Sequence, residues 1–368
     1  MRDVKRSRRV CSVVIASFPG IESIEGIHVV KVLANSRAIL AVAGVLLASR
    51  LAFGQPPRNI LVDLQNRTES AAANATTIDV DEFHGEVPRY ARWSPTVDAI
   101  FLRRSRADSQ RLITDQATGQ VVLDASSFEF RHEINPRVQL SRPFGNGLLI
   151  ELSYFGIYNN WISNSHHTGN LVFHGPGFTL GVDPASFAVS CSTGMHSAEV
   201  NLVHPIRQRI LLSAGFRYLQ FNDSLLAQEF TTPFAEVLRV DTRNNLYGGQ
   251  LGGRMLLVDL EDRLRVECTL NAGRYSNQSR HRTSTSFLGP RVGADIEKMA
   301  FHGQIGLAGM ARMTDHIVVR FGYQFMWLSG IALAPNQIPV SDLGASTATV
   351  STSDLFLDGA HIGVEIIW

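Results

Sequence analysis

Between Leu264 and Tyr275 the chain reads LRVECTLNAGRY, and its apolar and polar positions alternate strictly. Leu264, Val266, Cys268, Leu270 and Ala272 fall on one side, and Arg265, Glu267, Thr269, Asn271 and Gly273 on the other. A period of two over this length predicts a β-strand with one apolar and one polar face; a helix would spread the charges around its circumference. The pattern recurs. Leu148, Ile150, Leu152 and Tyr154 alternate with Glu151 and Ser153, and Ala198, Val200 and Leu202 with Ser197, Glu199 and Asn201. Leu212, Ala214, Phe216 and Tyr218 alternate with Ser213, Gly215 and Arg217. Near the end, Ile317, Val319, Phe321, Tyr323, Phe325 and Trp327 oppose Arg320, Gly322 and Gln324, and Ile362, Val364, Ile366 and Trp368 oppose His361, Gly363 and Glu365. Segments 97–102, 128–141, 247–257 and 299–310 carry weaker versions.

The connections alternate in length. Tight polar turns are predicted at 142–147, 204–209, 259–263 and 312–316. Longer segments lie at 105–127, 159–195, 222–244, 276–297 and 329–353. Short and long connections in strict alternation are the asymmetry of an outer-membrane barrel with short periplasmic turns and long external loops. The predicted fold is all-β: a closed, antiparallel, up-and-down transmembrane β-barrel of about ten strands, rising to twelve if 119–123 and 170–180 add a hairpin.

A soluble β-sandwich also alternates, with its apolar faces meeting in a dry core. An exported sandwich binding a surface ligand or glycan through its long loops is therefore the competing expectation. Three features favour lipid. Aromatic residues end the apolar faces, at Tyr154, Tyr158, Tyr218, Phe325, Trp327 and Trp368, as suits a headgroup interface. The opposite faces carry charge, including Glu129, Arg131, Glu133 and Arg137. The N-terminus has the marks of export. Only a closed barrel lets β-structure satisfy every backbone group in lipid.

Those marks lie in residues 1–54. Met1–Arg9 is basic, Ala38–Ala48 (AILAVAGVLLA) is apolar, and Ala52 and Gly54 fit the small positions of a signal-peptidase site before Gln55. An anchor helix is the alternative, but the run is short for about 30 Å of hydrocarbon and Arg50 interrupts it. The stretch before Arg37 is long for a signal, so the translation start is expected downstream of Met1. Residues 55–92 read as a flexible periplasmic extension and 93–368 as the barrel. Of the three cysteines, Cys11 leaves with the signal. Cys191 and Cys268 either bridge or stand as isolated thiols, and their spacing indicates neither a disulfide framework nor a zinc site.

The blocks Ala214–Leu219 (AGFRYL), Thr242–Gly252 (TRNNLYGGQLG), Gly322–Leu328 (GYQFMWL) with Ala334–Ile338 (APNQI), and the ending from Asp354–Phe356 to Gly363–Glu365 together resemble the planctomycete-type β-barrel porin family. Order and spacing agree over roughly two thirds of the chain, from Phe128 to Trp368. The resemblance implies an outer-membrane barrel and specifies no solute. Where that family more often ends in a basic–aromatic pair, this chain ends Ile366-Ile367-Trp368. Expected partners are outer-membrane lipid and the barrel-assembly machinery, engaged through the C-terminal strand.

Composition removes several classes of function. A net charge of +1 gives no electrostatic footprint for nucleic acid. No Gly-x-Ser-x-Gly elbow supports a hydrolase. His166, His167 and His174 lack partner ligands at metal spacing. The Gly248–Gly253 run sits on a strand without a following helix, so it reads as wall geometry and not as a phosphate loop. No enzyme, metal or cofactor is expected. The chemistry is concentrated on the inward faces: Glu151, Glu199, Glu267 and Glu365 against Arg217, Arg254, Arg265 and Arg320. A ten-strand barrel is narrow. These residues are expected either to hold the barrel by ion pairing or to form a constriction for small anions or zwitterions. Acids and bases balance, predicting a partly plugged lumen without strong ion selectivity. The expected function is a small pore or a structural barrel.

Overall fold

The computed structural model describes residues 93–144, 147–230, 236–260, 263–286 and 291–367. The signal region, the N-terminal extension and Trp368 lie outside the described residues. The strands in chain order are β1 (Ser94–Arg104), β2 (Arg111–Asp115), β3 (Val121–Asp124), β4 (Glu133–Phe144), β5 (Leu148–Gly175), β6 (Phe178–Arg207) and β7 (Ile210–Glu229). They continue with β8 (Glu236–Leu260), β9 (Leu264–Thr285), β10 (Val292–Arg312), β11 (Ile317–Ile331), β12 (Ser341–Asp342), β13 (Thr347–Ala348) and β14 (Ser353–Ile366).

Ten of these form a closed antiparallel ring. Each of β4 to β11 pairs with its neighbour in sequence, β11 pairs with β14, and β1 closes the sheet between β14 and β4. The closing registers run from Thr96↔Glu365 to Arg104↔Leu357 on one side of β1 and from Ser94↔Ser141 to Leu102↔Glu133 on the other. The wall is thus one sheet curled on itself, not two facing sheets. Its strands are tilted. The cross-strand row starting at Arg103, near one end of β1, passes through Asp358, Phe325, Ile305, Leu270, Gly253 and Leu212 and reaches His204, at the opposite end of β6. Such a stagger is what closure of a barrel requires.

The outward positions define a belt. Leu152, Val200, Phe216, Leu251, Leu307, Phe321 and Ile362 are all exposed on the outer wall, Leu251 to 69%. A continuous apolar band of this kind is unfavourable against water and suits hydrocarbon. The band ends at an aromatic rim. Tyr154, Tyr218 and Phe325 face outward there, and Trp327 stacks on Phe356 at 6.2 Å and meets Phe301 edge-on at 5.2 Å.

Most segments expected as long loops are instead strands continued past the rim. β5 and β6 are 28 and 30 residues long, where crossing a bilayer takes about 9–11. The extra length forms a collar in which the backbone still pairs strand to strand, so 159–195 is a hairpin and not a loop. Residues 119–123 and 170–180 do form strand, but in the collar: β2 joins β3 to the far part of β5, outside the ring. Glu129 and Arg131 also depart from expectation. They precede β4 on the exposed surface, where Glu129 pairs with Arg106. Residues 329–353 behave as a true long connection that folds into the barrel.

Candidate functional site: a sealed lumen

The interior has two chemically distinct halves. At the short-turn half it is polar. Two adjoining cavities of about 110 and 240 Å³ share Gln139, Glu151, Arg254 and Arg320 in their linings. Between them they collect all eight residues singled out on the inward faces: Glu199 and Arg217 line the first, and Arg265, Glu267 and Glu365 the second. Strand alternation put these side chains inside; the stagger decided which of them meet.

Arg254 on β8 donates to both carboxylate oxygens of Glu151 on β5 at 2.9 Å, and its Nε lies 3.9 Å from Glu267. Arg217 reaches Glu199 at 2.6 Å and also contacts His302. Arg320 meets Glu365 at 3.4 Å. Arg265 instead takes Asp259, at 3.5 Å. A further pair, Arg137 with Asp98 at 2.6 Å, completes the lining. Arginine paired with carboxylate satisfies the buried charge of both groups with directional hydrogen bonds.

Above the polar half every wall strand contributes a side chain that water does not reach. Leu102 on β1, Ile157 on β5, Met195 on β6, Phe221 on β7 and Leu246 on β8 are fully buried. Tyr275 on β9, His302 on β10, Leu328 on β11 and Leu357 on β14 are buried to within 1%, and Asn135 on β4 to within 2%. A water-filled channel would expose at least one arc of this circle. The ring is therefore a closed, largely apolar layer, where the sequence predicts partial plugging by Arg–Glu pairs.

The seal is capped by a plug. After Gly330 the chain leaves β11 and turns inward; Ile331, Ala332, Leu333 and Ala334 are fully buried, and Ile338 and Leu343 nearly so. Buried backbone needs partners, and polar side chains on the wall supply them. Asn244 donates to the Ala332 carbonyl at 2.8 Å and accepts from the Ala332 N–H at 2.7 Å, replacing both bonds that a strand neighbour would give. Thr242 donates to the same carbonyl at 3.0 Å, and Asn277 to that of Gly330 at 2.9 Å. Asp223 accepts from the Ala334 N–H at 2.9 Å and is itself held by Arg104 at 2.6 Å. Within the plug, Gln337 bridges Leu333 and Ser351.

Asn244, Asn277, Arg104 and Asp223 went unnoticed in the sequence. The available signal was a polar residue at inward parity inside a run otherwise apolar at that parity, as at Ile100-x-Leu102-x-Arg104 and Phe221-x-Asp223-x-Leu225.

Other expectations are resolved more simply. Tyr154, Tyr218, Phe325 and Trp327 lie on the outward face of the wall; Trp368 is outside the described residues. Cys191 and Cys268 are both free thiols. His174 contacts Thr114 and His167 contacts Ser165 in the collar. Among the described residues no cluster of His, Cys, Asp and Glu is arranged to hold a metal.

The architecture defines an all-β, closed, ten-strand antiparallel barrel with an apolar outer belt. No family model and no curated protein matches the chain, so the porin-family resemblance rests on the quoted blocks alone. Among solved structures it is similar to the outer-membrane protease OmpT from Escherichia coli (TM-score 0.46, 9% identity, 75% of this chain and 96% of that one). It is also similar to the translocator domain of the autotransporter NalP from Neisseria meningitidis (0.38, 10%, 84% and 96%). A third likeness is to the Ralstonia pickettii toluene transporter TbuX (0.31, 8%, 74% and 87%).

Proposed function

We propose that this chain is an outer-membrane β-barrel whose lumen is sealed: a structural barrel, not an open pore. The carrying observation is the complete circle of water-inaccessible side chains, one on each wall strand, beneath a plug hydrogen-bonded to the wall. In this reading the belt sits in the hydrocarbon and the short turns face the periplasm. The polar cavities form a blind vestibule on that side, and the collar projects outward. The Arg–Glu pairs act structurally, holding the short-turn half of the wall together across its lumen. The chain reaches its place by export through the signal in residues 1–54 and by insertion through its C-terminal strand.

The test joins fractionation to electrophysiology. The unboiled protein should migrate faster than the boiled protein on a denaturing gel and should be found in the outer-membrane fraction. The same folded protein should give no discrete current steps in a planar bilayer. Steady single-channel steps from the unaltered chain would refute the sealed lumen, and recovery in a carbonate wash would refute the membrane location.

A further inference from the structure

Past the aromatic rim, the outward faces of β8, β9 and β10 carry a concentration of positive charge that the rest of the barrel does not explain. Beyond Tyr247 the outward positions of β8 include Arg243, Asp241 and Arg239; those of β9 include Arg280 and Arg282; β10 adds Glu297 and Asp295, with Arg291 just before it. Five arginines therefore face three carboxylates. The outward positions of neighbouring β6 and β7 beyond the rim, such as Ser190, Ser192, Gln220, Asn222 and Ser224, are uncharged. The asymmetry belongs to one sector of the wall.

Within that sector the carboxylates are already engaged. Asp295 receives Arg282 at 2.9 Å and Arg280 at 3.2 Å, so one acid serves two bases. Asp241 takes Arg239 at 2.8 Å and a hydrogen bond from Ser224 at 2.7 Å. Glu297 is bonded by Ser276 at 2.6 Å. Arg243 donates only to the neutral Asn245 and Gln220, at 3.3 and 3.1 Å, and has no carboxylate partner among the described residues. The surface is also concave there. Adjoining hollows are lined by Arg243, Arg280 and Asp295, and by Arg239, Arg282 and Arg291. Gly293 lies in close contact with β9: a Cβ at that position would meet the His281 carbonyl oxygen first and then the Arg282 side chain at 2.7 Å.

Position identifies the occupant. Arg243 lies two outward positions past Tyr247, about 13 Å along the strand at the usual rise. With the aromatic rim at the edge of the hydrocarbon, that places the guanidinium groups beside the headgroups of the lipids that surround the wall. Arginine forks match phosphate oxygens in pairs and act over a Debye length from the surface. We propose that the β8–β10 sector above the rim binds the phosphate groups of a phosphorylated glycolipid of the outer leaflet. This rests on the membrane placement proposed above.

The experiment uses the full-length folded barrel in neutral detergent and native mass spectrometry. The probes are bisphosphorylated lipid A, its dephosphorylated form and inorganic polyphosphate. The expected result is retention of bisphosphorylated lipid A, at least tenfold weaker retention of the dephosphorylated lipid, and weakening with added salt. The triple variant Arg243→Gln, Arg280→Gln, Arg282→Gln should lose affinity at least tenfold while keeping its heat-modifiable migration. If that variant does not fold, Arg243→Gln alone, which breaks no ion pair, should lose at least threefold. Equal retention of both lipid forms overturns the inference, as does undiminished binding by a folded variant or binding of polyphosphate in preference to the lipid. A barrel that fractionates with the outer membrane but shows no phosphate preference sinks this inference alone; one absent from that membrane sinks the placement beneath it.

Discussion

Arg104 and Asp223, 119 residues apart in sequence, form an ion pair of 2.6 Å in which neither side chain has any contact with water. β1 supplies the base and β7 the acid, so the pair spans the lumen. Phe130 lies under the guanidinium at 4.3 Å, and the second oxygen of Asp223 holds the plug backbone at Ala334. The pair thus joins two walls and the plug at one point. Breaking a buried pair by removing one partner leaves an uncompensated charge and costs about 3–5 kcal/mol, while replacing both with apolar groups costs far less. Arg104→Met should lower stability by about that amount in urea unfolding of the detergent-folded barrel. The double variant Arg104→Met, Asp223→Asn, which removes both charges and keeps an acceptor for the Ala334 N–H, should recover much of the loss.

Asn244 gives the plug its two-point attachment. Alanine there would leave the Ala332 N–H buried without an acceptor and its C=O with Thr242 alone, a cost of about 1–3 kcal/mol. Asn244→Ala should also raise the rate at which added protease cuts the 332–350 segment in the folded barrel. An unchanged cleavage rate would mean that the plug is held elsewhere.

Gly330 sets the direction of the plug. Its φ of +81° lies in the left-handed region, and a Cβ would sit 3.0 Å from the Met299 carbonyl oxygen. A β-branched residue is strained in that region and finds no space, so Gly330→Val should cost about 1–3 kcal/mol. Its circular dichroism should remain that of a barrel, because the strain falls at the last residues of β11.

His281 predicts a response to acid. It lies in the collar, fully buried, with Nε2 at 2.7 Å from Thr283 and 3.4 Å from Ser341 of the plug. Burial, reinforced by the nearby Arg282 charge and partly opposed by a hydrogen bond to the Thr349 backbone, pushes its pKa down to about 4. The unfolded chain therefore binds this proton more readily than the folded one, and stability rises with pH across the interval between the two values. The contribution is complete above about pH 6.5 and is lost as pH falls toward 4. Midpoints of urea unfolding between pH 7 and 4 should fall less steeply for His281→Leu than for the unaltered chain.

Much of the wall could be read from the sequence, because a strand imposes a local rule. Side chains alternate every residue, so the placement of Leu152 and Glu151, or Phe216 and Arg217, on opposite sides follows from their positions alone. Short turns and rim aromatics are equally local. The collar was not legible as strand. Once past the lipid its outer face is free to be polar, so Arg243-Asn244-Asn245 and Ser276-Asn277-Gln278 look like loop although their backbone continues the ladder.

The amino-acid order by itself determined an antiparallel wall, its two faces and the rhythm of its hairpins, since each depends on neighbours within a few residues. The closed wall of ten strands agrees with that reading, while the three-dimensional packing fixed that Arg265 meets Asp259 and that the 331–348 segment turns inward. Those outcomes depend on how far each strand slides against the next. That stagger is set by the closure of the whole ring and brings together residues, such as Arg104 and Asp223, whose separation along the chain carries no sign that they meet.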